Sequence, residues 1–430
     1  MLFRSQDAAQ ARALLEALYR AAVTRALPAH VLAAYLPTPP AHGGRTIVLG
    51  AGKAGAAMAQ AVEAAWPADA PLEGLVVTRY HHIPQRPVGL TRRIEVVEAA
   101  HPVPDAAGAA ATLEMLALLE GLAEDDFVLA LISGGASALL VAPVAGVSLA
   151  EKQAVNAALL ACGAPISQMN TVRKHLSRVK GGQLAAAAYP ARMVTLMISD
   201  VPGDDMAFIG SGPTVGDLST PQDALDILAR WEAKVPPSAL CALEGTSGVV
   251  RPGDTRLSRT QNRIYAAPAQ SLAAAQAMAE AAGIKVRLLG DALEGEARDV
   301  AVKMAKLAVA ARGDAPVLLL SGGELTVTRR GDGIGGPNAE FCLALAIALD
   351  GALGIHAIAC DTDGVDGAAE VAGAMIGPDT LARARGAGVD PALALARNDA
   401  HGFFGAIGDQ VVTGPTLTNV NDFRAIVVMP

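Results

Sequence analysis

Lys53 stands in the middle of "IVLGAGKAGAAMAQAV" (47–62), where Gly50, Gly52 and Gly55 spell G-x-G-x-x-G. Two small residues flank the lysine on each side, so its ammonium can lean over a bound ligand. The turn follows an apolar strand-like run and opens an alanine-rich helical one. Backbone amides and the helix dipole favour an anion at such a place. A cation there is disfavoured unless an anionic carboxylate or phosphate sits with it. Two chemistries compete. Dinucleotide binding asks for an acidic residue about 20 positions on, at the end of the next strand. That strand, "GLVVTRYHH", ends in Thr78 and Arg79 with no carboxylate, which leaves only an NADP phosphate on Arg79 to support the reading. The other chemistry holds a carboxylate or phosphate for group transfer, with Lys53 compensating its charge. A Walker A loop is excluded, because position 54 is Ala and position 47 is Ile.

Other polar turns can serve the same chemistry. "LALISGG" (129–135) and "LLLSGGE" (318–324) each end a strand-like run in Ser-Gly-Gly. In open α/β sheets ligands sit beyond the carboxyl ends of strands, so both turns are candidates for one ligand cleft. Four loops carry more carboxylate, Asn and Thr than turning requires. "SDVPGDDMAFIGSGPT" holds Asp200, Asp204, Asp205 and Ser211, and "GGELTVTRRGDGIGGPNAEF" follows the second Ser-Gly-Gly. "CDTDGVDG" holds Asp361, Asp363 and Asp366, and "TGPTLTNVNDF" holds Asn419, Asn421 and Asp422. Oxygen donors of this kind suit a hard ion such as Mg²⁺. "MNTVRKHLSRVKGG" adds Arg173, Lys174, His175, Arg178 and Lys180, of which the following Gly181-Gly182 turn can bring one or two to the cleft. His101, in the Pro-rich "AAHPVPD", reads as a structural histidine.

These turns need strands and helices to hold them. From about Asp7 to Leu27 the pattern is helical. Then short Val/Ile/Leu runs ("RTIVLGAG", "GLVVTR", "RIEVVEAA", "FVLALISGG", "MVTLMISDVPG") alternate with Ala-rich helical stretches, which predicts βαβ units and a parallel sheet. Gly, Ser, Pro and Arg crowd 244–262, which reads as a hinge. The alternation then resumes through "RIYAA", "IKVRLLG", "APVLLLSGGELTVTRR" and "IHAIACDTDG" to "FRAIVVMP". Expected, then, are domains over 1–243 and 263–430 joined by a linker at 244–262. The fold class is α/β: two Rossmann-like α/β/α domains with mostly parallel sheets facing a central cleft.

Bulk properties agree. The 430 residues are 52% hydrophobic and 18% charged, enough for two cores and unlike a disordered chain. The net charge of −8, without a Lys/Arg block, argues against nucleic acid. The four cysteines form no C-x-x-C, which argues against a zinc or disulfide framework and for a cytoplasmic setting. The uncharged stretch 127–150 is long enough for a bilayer, but Ser133-Gly134-Gly135 and Pro143 break it, so a soluble protein with a buried strand is expected.

Read in order, "GAGKA", "HPVPD", "SGGASAL", "NTVRKHLSRVKGGQLA", "SDVPGDD…IGSGPT", "SGGELTVT", "GGPNAEF", "DGVDG" and "TGPTLTNVNDF" resemble the glycerate 2-kinase family. Its second domain is called MOFRL, and its bacterial members are often labelled hydroxypyruvate reductase. The resemblance runs through nearly the whole chain. It implies an ATP- and Mg²⁺-dependent enzyme that converts D-glycerate to 2-phosphoglycerate by direct phosphoryl transfer between two domains. The competing expectation is an NAD(P)H-dependent hydroxypyruvate reductase. No nucleic acid or membrane partner is implied, and a homodimer is left open.

Lys53 matches the family's active-site lysine, and the turn Ser133-Gly134-Gly135-Ala136-Ser137 and Asp200 match its substrate or nucleotide positions. Expected catalytic residues are Lys53, Asp200, Asp363 and Asp366. Asp200, Asp204 and Asp363 are the expected Mg²⁺ ligands. Gly50, Gly52, Ser133, Gly134, Gly135, Ser137, Arg173, Lys174 and Ser211 are expected to bind substrate or nucleotide, with Gly322, Gly323, Glu324, Asn338, Glu340 and Asn419 completing the site from the second domain. The chain departs from the family where Pro337 replaces an arginine of Gly-Gly-Arg-Asn-Gln-Glu, so that Arg173 or Lys174 would have to stand in. It departs again where Ala368-Ala369-Glu370 replaces Pro-Thr-Asp.

Overall fold

The computed structural model describes residues 8–40, 43–367 and 369–430; the expected helix start at Asp7, and Ala368, lie outside them. Two compact units result. One is Pro28–Tyr265; the other joins the helix Ala8–Ala26 to Ala266–Pro430.

In the first unit, six strands order as β3-β2-β1-β4-β5-β6. They are β1 (Thr46–Ala51), β2 (Glu73–Arg79), β3 (Ile94–Ala99), β4 (Phe127–Ile132), β5 (Arg192–Ile198) and β6 (Thr260–Ala266). The β1–β2, β2–β3, β1–β4 and β4–β5 pairs are all parallel. Every residue of β1 and β4 is buried, as uninterrupted apolar strands require when helices cover both faces. The strand order reverses between β1 and β4. That reversal is the topological switch point, where the crevice of a doubly wound sheet opens beyond the carboxyl ends of the strands. The glycine turn leaves β1 and the first Ser-Gly-Gly turn leaves β4, so both emerge there. A satellite of helices, Leu149–Ala161, Ile166–His175, Pro221–Arg230 and Pro237–Glu244, packs through Val155, Leu159, Val172, Ala224 and Leu243 and carries the basic stretch. The first of them starts at a capping box between Ser148 and Glu151.

The second unit contains β7 (Lys285–Leu288), β8 (Leu293–Glu296), β9 (Val317–Ser321), β10 (Gly323–Thr326), β11 (Ile355–Asp361), β12 (Gly373–Ile376), β13 (Gln410–Val411) and β14 (Asp422–Val428). Its large sheet orders as β13-β12-β11-β14-β9-β7. Here the expectation of a mostly parallel sheet is corrected. Only β7–β9 runs parallel, whereas β14–β9, β11–β14, β11–β12 and β12–β13 run antiparallel. A parallel pair needs a crossover of about a dozen residues or more, usually a helix, and β11 is followed by β12 with none between. An apolar run such as "RAIVV" reads the same in either direction.

The units also divide the chain differently from the expected 1–243, 244–262 and 263–430. Leu15, Leu18, Tyr19 and Ala22 of the first helix are buried in one core with Leu272, Leu318, Leu320 and Phe423. Nor is 244–262 a free hinge. Val250 is buried, its amide bonds Gly181 O at 2.9 Å, and Thr260–Ala266 is β6 of the first sheet. No helix of the described residues is long and apolar enough to cross a membrane.

Candidate active site

The glycine turn holds Lys53 against the end of β4. Gly50 lies within β1, and a Cβ there would meet Leu131 O at 2.5 Å. Gly52 has φ +137°, and a Cβ would meet Ser133 Oγ at 2.0 Å. At Gly55 a Cβ would meet Val77 O at 3.0 Å. The glycines thus let three strand ends approach one another. The amides of the turn are used the same way. Gly52 N donates to Val77 O (3.1 Å), Lys53 N to Gly134 O (2.8 Å) and Gly55 N to Gly52 O (2.9 Å). Ala54 N donates to Ser133 Oγ (3.1 Å). Thr78 Oγ1, at the end of β2, donates to the carbonyls of Gly52 and Lys53 (3.2 and 3.3 Å). A pyrophosphate cradle needs those amides pointing at the ligand, whereas here they are engaged within the fold, and Gly50 and Gly52 serve the close approach of the strand ends.

The Lys53 side chain is half-buried, and its Cγ lies 3.2 Å from where a Gly135 Cβ would stand; Gly135 has φ +82°. His101 reaches the same spot from the other side, its Nε2 also 3.2 Å from that point. A side chain at 135 would crowd both Lys53 and His101. Among the described residues nothing accepts a hydrogen bond from the amides of Gly134 and Gly135. The amides of the turn after β1 are thus engaged, and those of Gly134 and Gly135 at the end of β4 are not. Asp200 is half-buried two residues beyond β5, at the same edge of the sheet.

A polar chain runs from this turn into the satellite helices. Ser137 Oγ and Ser211 Oγ are 2.7 Å apart, and Ser211 Oγ donates to Asn170 Oδ1 at 3.2 Å. Arg173 reaches the same Asn170 Oδ1 through Nη1 (3.4 Å) and Asn156 Oδ1 through Nε (3.2 Å). Lys174 is not part of it. It is buried, ion-paired with Asp217, and 5.3 Å from the Phe208 ring centroid. Of the two expected stand-ins for the missing arginine, Arg173 joins this chain and Lys174 is paired with Asp217. Asp204 is held at φ +56°, and its Oδ1 is buried with no hydrogen-bond partner.

In the second unit several expected site residues are engaged in structure. Asp366 is fully buried and caps the helix Pro337–Leu349. Its Oδ1 accepts from Asn338 N (2.9 Å), its Oδ2 accepts from Ala339 N (2.8 Å), and His401 Nε2 lies 3.2 Å from Oδ2. Pro337 takes the first helical position, where its missing N–H costs nothing. Glu340 is buried against Arg298 (2.6 Å) and Asn398 (2.8 Å). Asn338 Nδ2 donates to Asp422 Oδ1 (2.6 Å), and Arg424 donates to Asp422 Oδ2 and to Gly322 O. Burial pushes the Asp422 carboxyl above its ordinary range, with Arg424 opposing. These contacts fix the turn after β9, where a Cβ at Gly323 would meet Leu293 N at 2.2 Å. Glu324 is exposed; Asp363 and Asn419 are buried. Asp363 Oδ1 accepts from Val365 N (2.8 Å), and Asn419 Oδ1 from Asn421 N (3.2 Å). Among the described residues no three His, Cys, Asp or Glu side chains converge as a metal cluster.

Asn170, Asn156, Lys152 and Arg424 were not singled out in the sequence, and Lys180 was named only as one cation of the basic stretch. Asn170 and Lys180 lie inside the quoted basic stretch. Lys152 and Arg424 carry no local signal, since each is placed by tertiary packing alone.

Comparison with known proteins gives these features a context. A family model described as "Domain of unknown function (DUF4147)" matches residues 14–244, and one described as "MOFRL family" matches 317–422. A protein of Agrobacterium vitis named "Putative hydroxypyruvate reductase" is 52% identical over 97% of this chain and 94% of its own. A "D-glycerate 2-kinase" of Thermotoga maritima is 35% identical over 81% of this chain and 83% of its own. The crystal structure of a glycerate kinase from Thermotoga maritima superposes with a TM-score of 0.84 at 33% identity, covering 98% of this chain and 100% of that one.

Proposed function

The chain belongs to the glycerate kinase family with a MOFRL domain, and on that premise we propose that it transfers the terminal phosphoryl group of ATP to O2 of D-glycerate, giving 2-phosphoglycerate. The observation that carries this reading is the occupied glycine turn. Its amides are spent on β2, β4 and the turn itself, while its lysine is held over Gly135 beside His101. A turn built to present a cation suits phosphoryl transfer, in which positioning and charge neutralisation supply nearly all of the catalysis. A turn built to receive a dinucleotide would keep its amides free.

In this reading Lys53 compensates the glycerate carboxylate or the migrating phosphoryl group. The free amides of Gly134 and Gly135 bind phosphate or carboxylate oxygens. Asp200, at the same sheet edge, accepts the proton of the attacking hydroxyl. On the second unit, Glu324, Asp363 and Asn419 are the candidate ligand-binding residues. Asp366 and Glu340 do not enter the chemistry, because their carboxylates are committed to a helix cap and to Arg298. The partnerless buried Oδ1 of Asp204, on the loop that carries Asp200, is an oxygen donor of the kind Mg²⁺ accepts. Bound there, Mg²⁺ would neutralise phosphate charge. A cytoplasmic setting fits these substrates.

Incubation with ATP and D-glycerate should form ADP and a phosphoglycerate at equal rates, with no NADPH oxidation on adding hydroxypyruvate. NADPH oxidation with hydroxypyruvate, and no ADP, would reverse the assignment.

A further inference from the structure

Three cationic side chains gather beneath the Ser137–Ser211 pair with no carboxylate among them. Lys180 is 1% exposed, and its Nζ donates to Ser137 O and Leu140 O, both at 2.9 Å. Lys152 is 2% exposed, and its Nζ donates to Arg173 O and Leu176 O, both at 3.0 Å. Arg173 joins them through its guanidinium on Asn156 and Asn170. Carbonyl dipoles satisfy the N–H groups but do not cancel the charge, and buried charge without a counter-ion is costly.

Among the described residues none of the three is ion-paired with a carboxylate, and the nearest acidic loop is the one that carries Ser211 with Asp200, Asp204 and Asp205. Besides Lys152, the helix Leu149–Ala161 carries Glu151, which caps its own N-terminus and accepts from Ser238. The helix Ile166–His175 carries, besides Arg173, Lys174 on Asp217 and His175 between Ser219 and Ser247. Arg178, on the following turn, is exposed. The helix Gln183–Ala188 and the Ala136–Leu139 turn carry no charge. Ser137, at the site edge, and Arg173 are half-buried, so the cluster is not sealed from solvent.

We propose that Lys180, Lys152 and Arg173 form the floor of an oxyanion subsite at Ser137 and Ser211, whose counter-ion is a carboxylate or phosphate of the bound substrate. The inference rests on the kinase reading for the identity of that substrate. Lys180 does not touch the anion; it is a positioning residue that pins the Ser137 carbonyl and supplies field. Burial, then Arg173, pushes its ammonium down to about 7, and burial, then Lys180 and Arg173, holds Lys152 well below the usual lysine range. An arriving anion favours the charged form, so Lys180 takes up a proton when the ligand binds above neutral pH.

Calorimetry at pH 8 in HEPES and in Tris measures that uptake, with D-glycerate, ATP and inorganic phosphate as separate probes. The expected result is uptake of a substantial fraction of a proton per ligand by the wild type and markedly less by Lys180→Arg, in which residue 180 stays charged and only Lys152 can still take up a proton. Lys180→Met should bind about tenfold to a hundredfold more weakly at pH 6.5, the counterpart of one to two units of restored pKa. Uptake with D-glycerate alone identifies the counter-ion as the acceptor's carboxylate; uptake with ATP or phosphate identifies the donor. Binding by the wild type with no uptake for any probe between pH 6.5 and 9 overturns the proposal, and needs no variant to fold. If ADP forms but no proton is taken up, only the subsite fails. If no ADP forms, the kinase reading fails first.

Discussion

Lys53→Ala should lower ATP turnover with D-glycerate by about a thousandfold or more, the scale on which a single cation that stabilises phosphoryl-transfer charge acts. The variant should fold as the parent does. The backbone of residue 53 makes the bonds that lock the turn, Lys53 N to Gly134 O and Thr78 Oγ1 to Lys53 O, and alanine keeps both. The side chain is only half-buried, so the stability change should stay within about 1 kcal/mol. Steady-state kinetics beside urea unfolding separates the two. Near-normal turnover would remove Lys53 from the chemistry. A loss of activity accompanied by a large loss of stability would make it a structural residue.

Asp366→Ala should show the opposite pattern. The carboxylate is fully buried and accepts from two amides of the first turn of Pro337–Leu349, and it faces His401. Removing it leaves those donors without partners at a buried helix end, at a cost of about 3 kcal/mol. That is a large share of the roughly 5–15 kcal/mol that holds a domain together. Urea unfolding should report the loss. Any fall in kcat should track the fraction unfolded, and conditions that restore folding should restore activity. An Asp366→Ala protein of parental stability with abolished turnover would return this residue to the catalytic group.

Much of the first unit was legible because its signals are local. Apolar runs ending in Gly or Ser marked β1, β4 and β5, and alternation with helices foretold their parallel pairing. The two turns at the switch point were legible as turns. What their glycines are for was not, since Gly52 faces Ser133, about 80 positions away, and only the β1–β4 register brings them together. The second sheet escaped because strand direction is set by connection geometry rather than by apolar pattern. The helix cap made by Asp366 and the Glu340–Arg298 pair were not legible, because loop aspartates and glutamates that cap a helix or pair with a distant arginine have the same local sequence as those that bind ligands. In the basic stretch, Lys174 and Lys180 were equivalent on paper. Asp217 claimed one, and the carbonyls of Ser137 and Leu140 claimed the other. The helix Ala8–Ala26 is attached to the far end of the chain by apolar contacts with partners 250 or more residues distant, which periodicity alone does not name.

The central claim is that the Lys53 ammonium faces the reacting groups. Mass-spectrometric measurement of its acetylation by an amine-reactive reagent tests this without relying on turnover. D-glycerate together with a non-hydrolysable ATP analogue should protect Lys53 strongly while exposed lysines such as Lys285 stay unchanged. Equal labelling of Lys53 with and without saturating ligands, under conditions where binding is measured in parallel, would contradict the account.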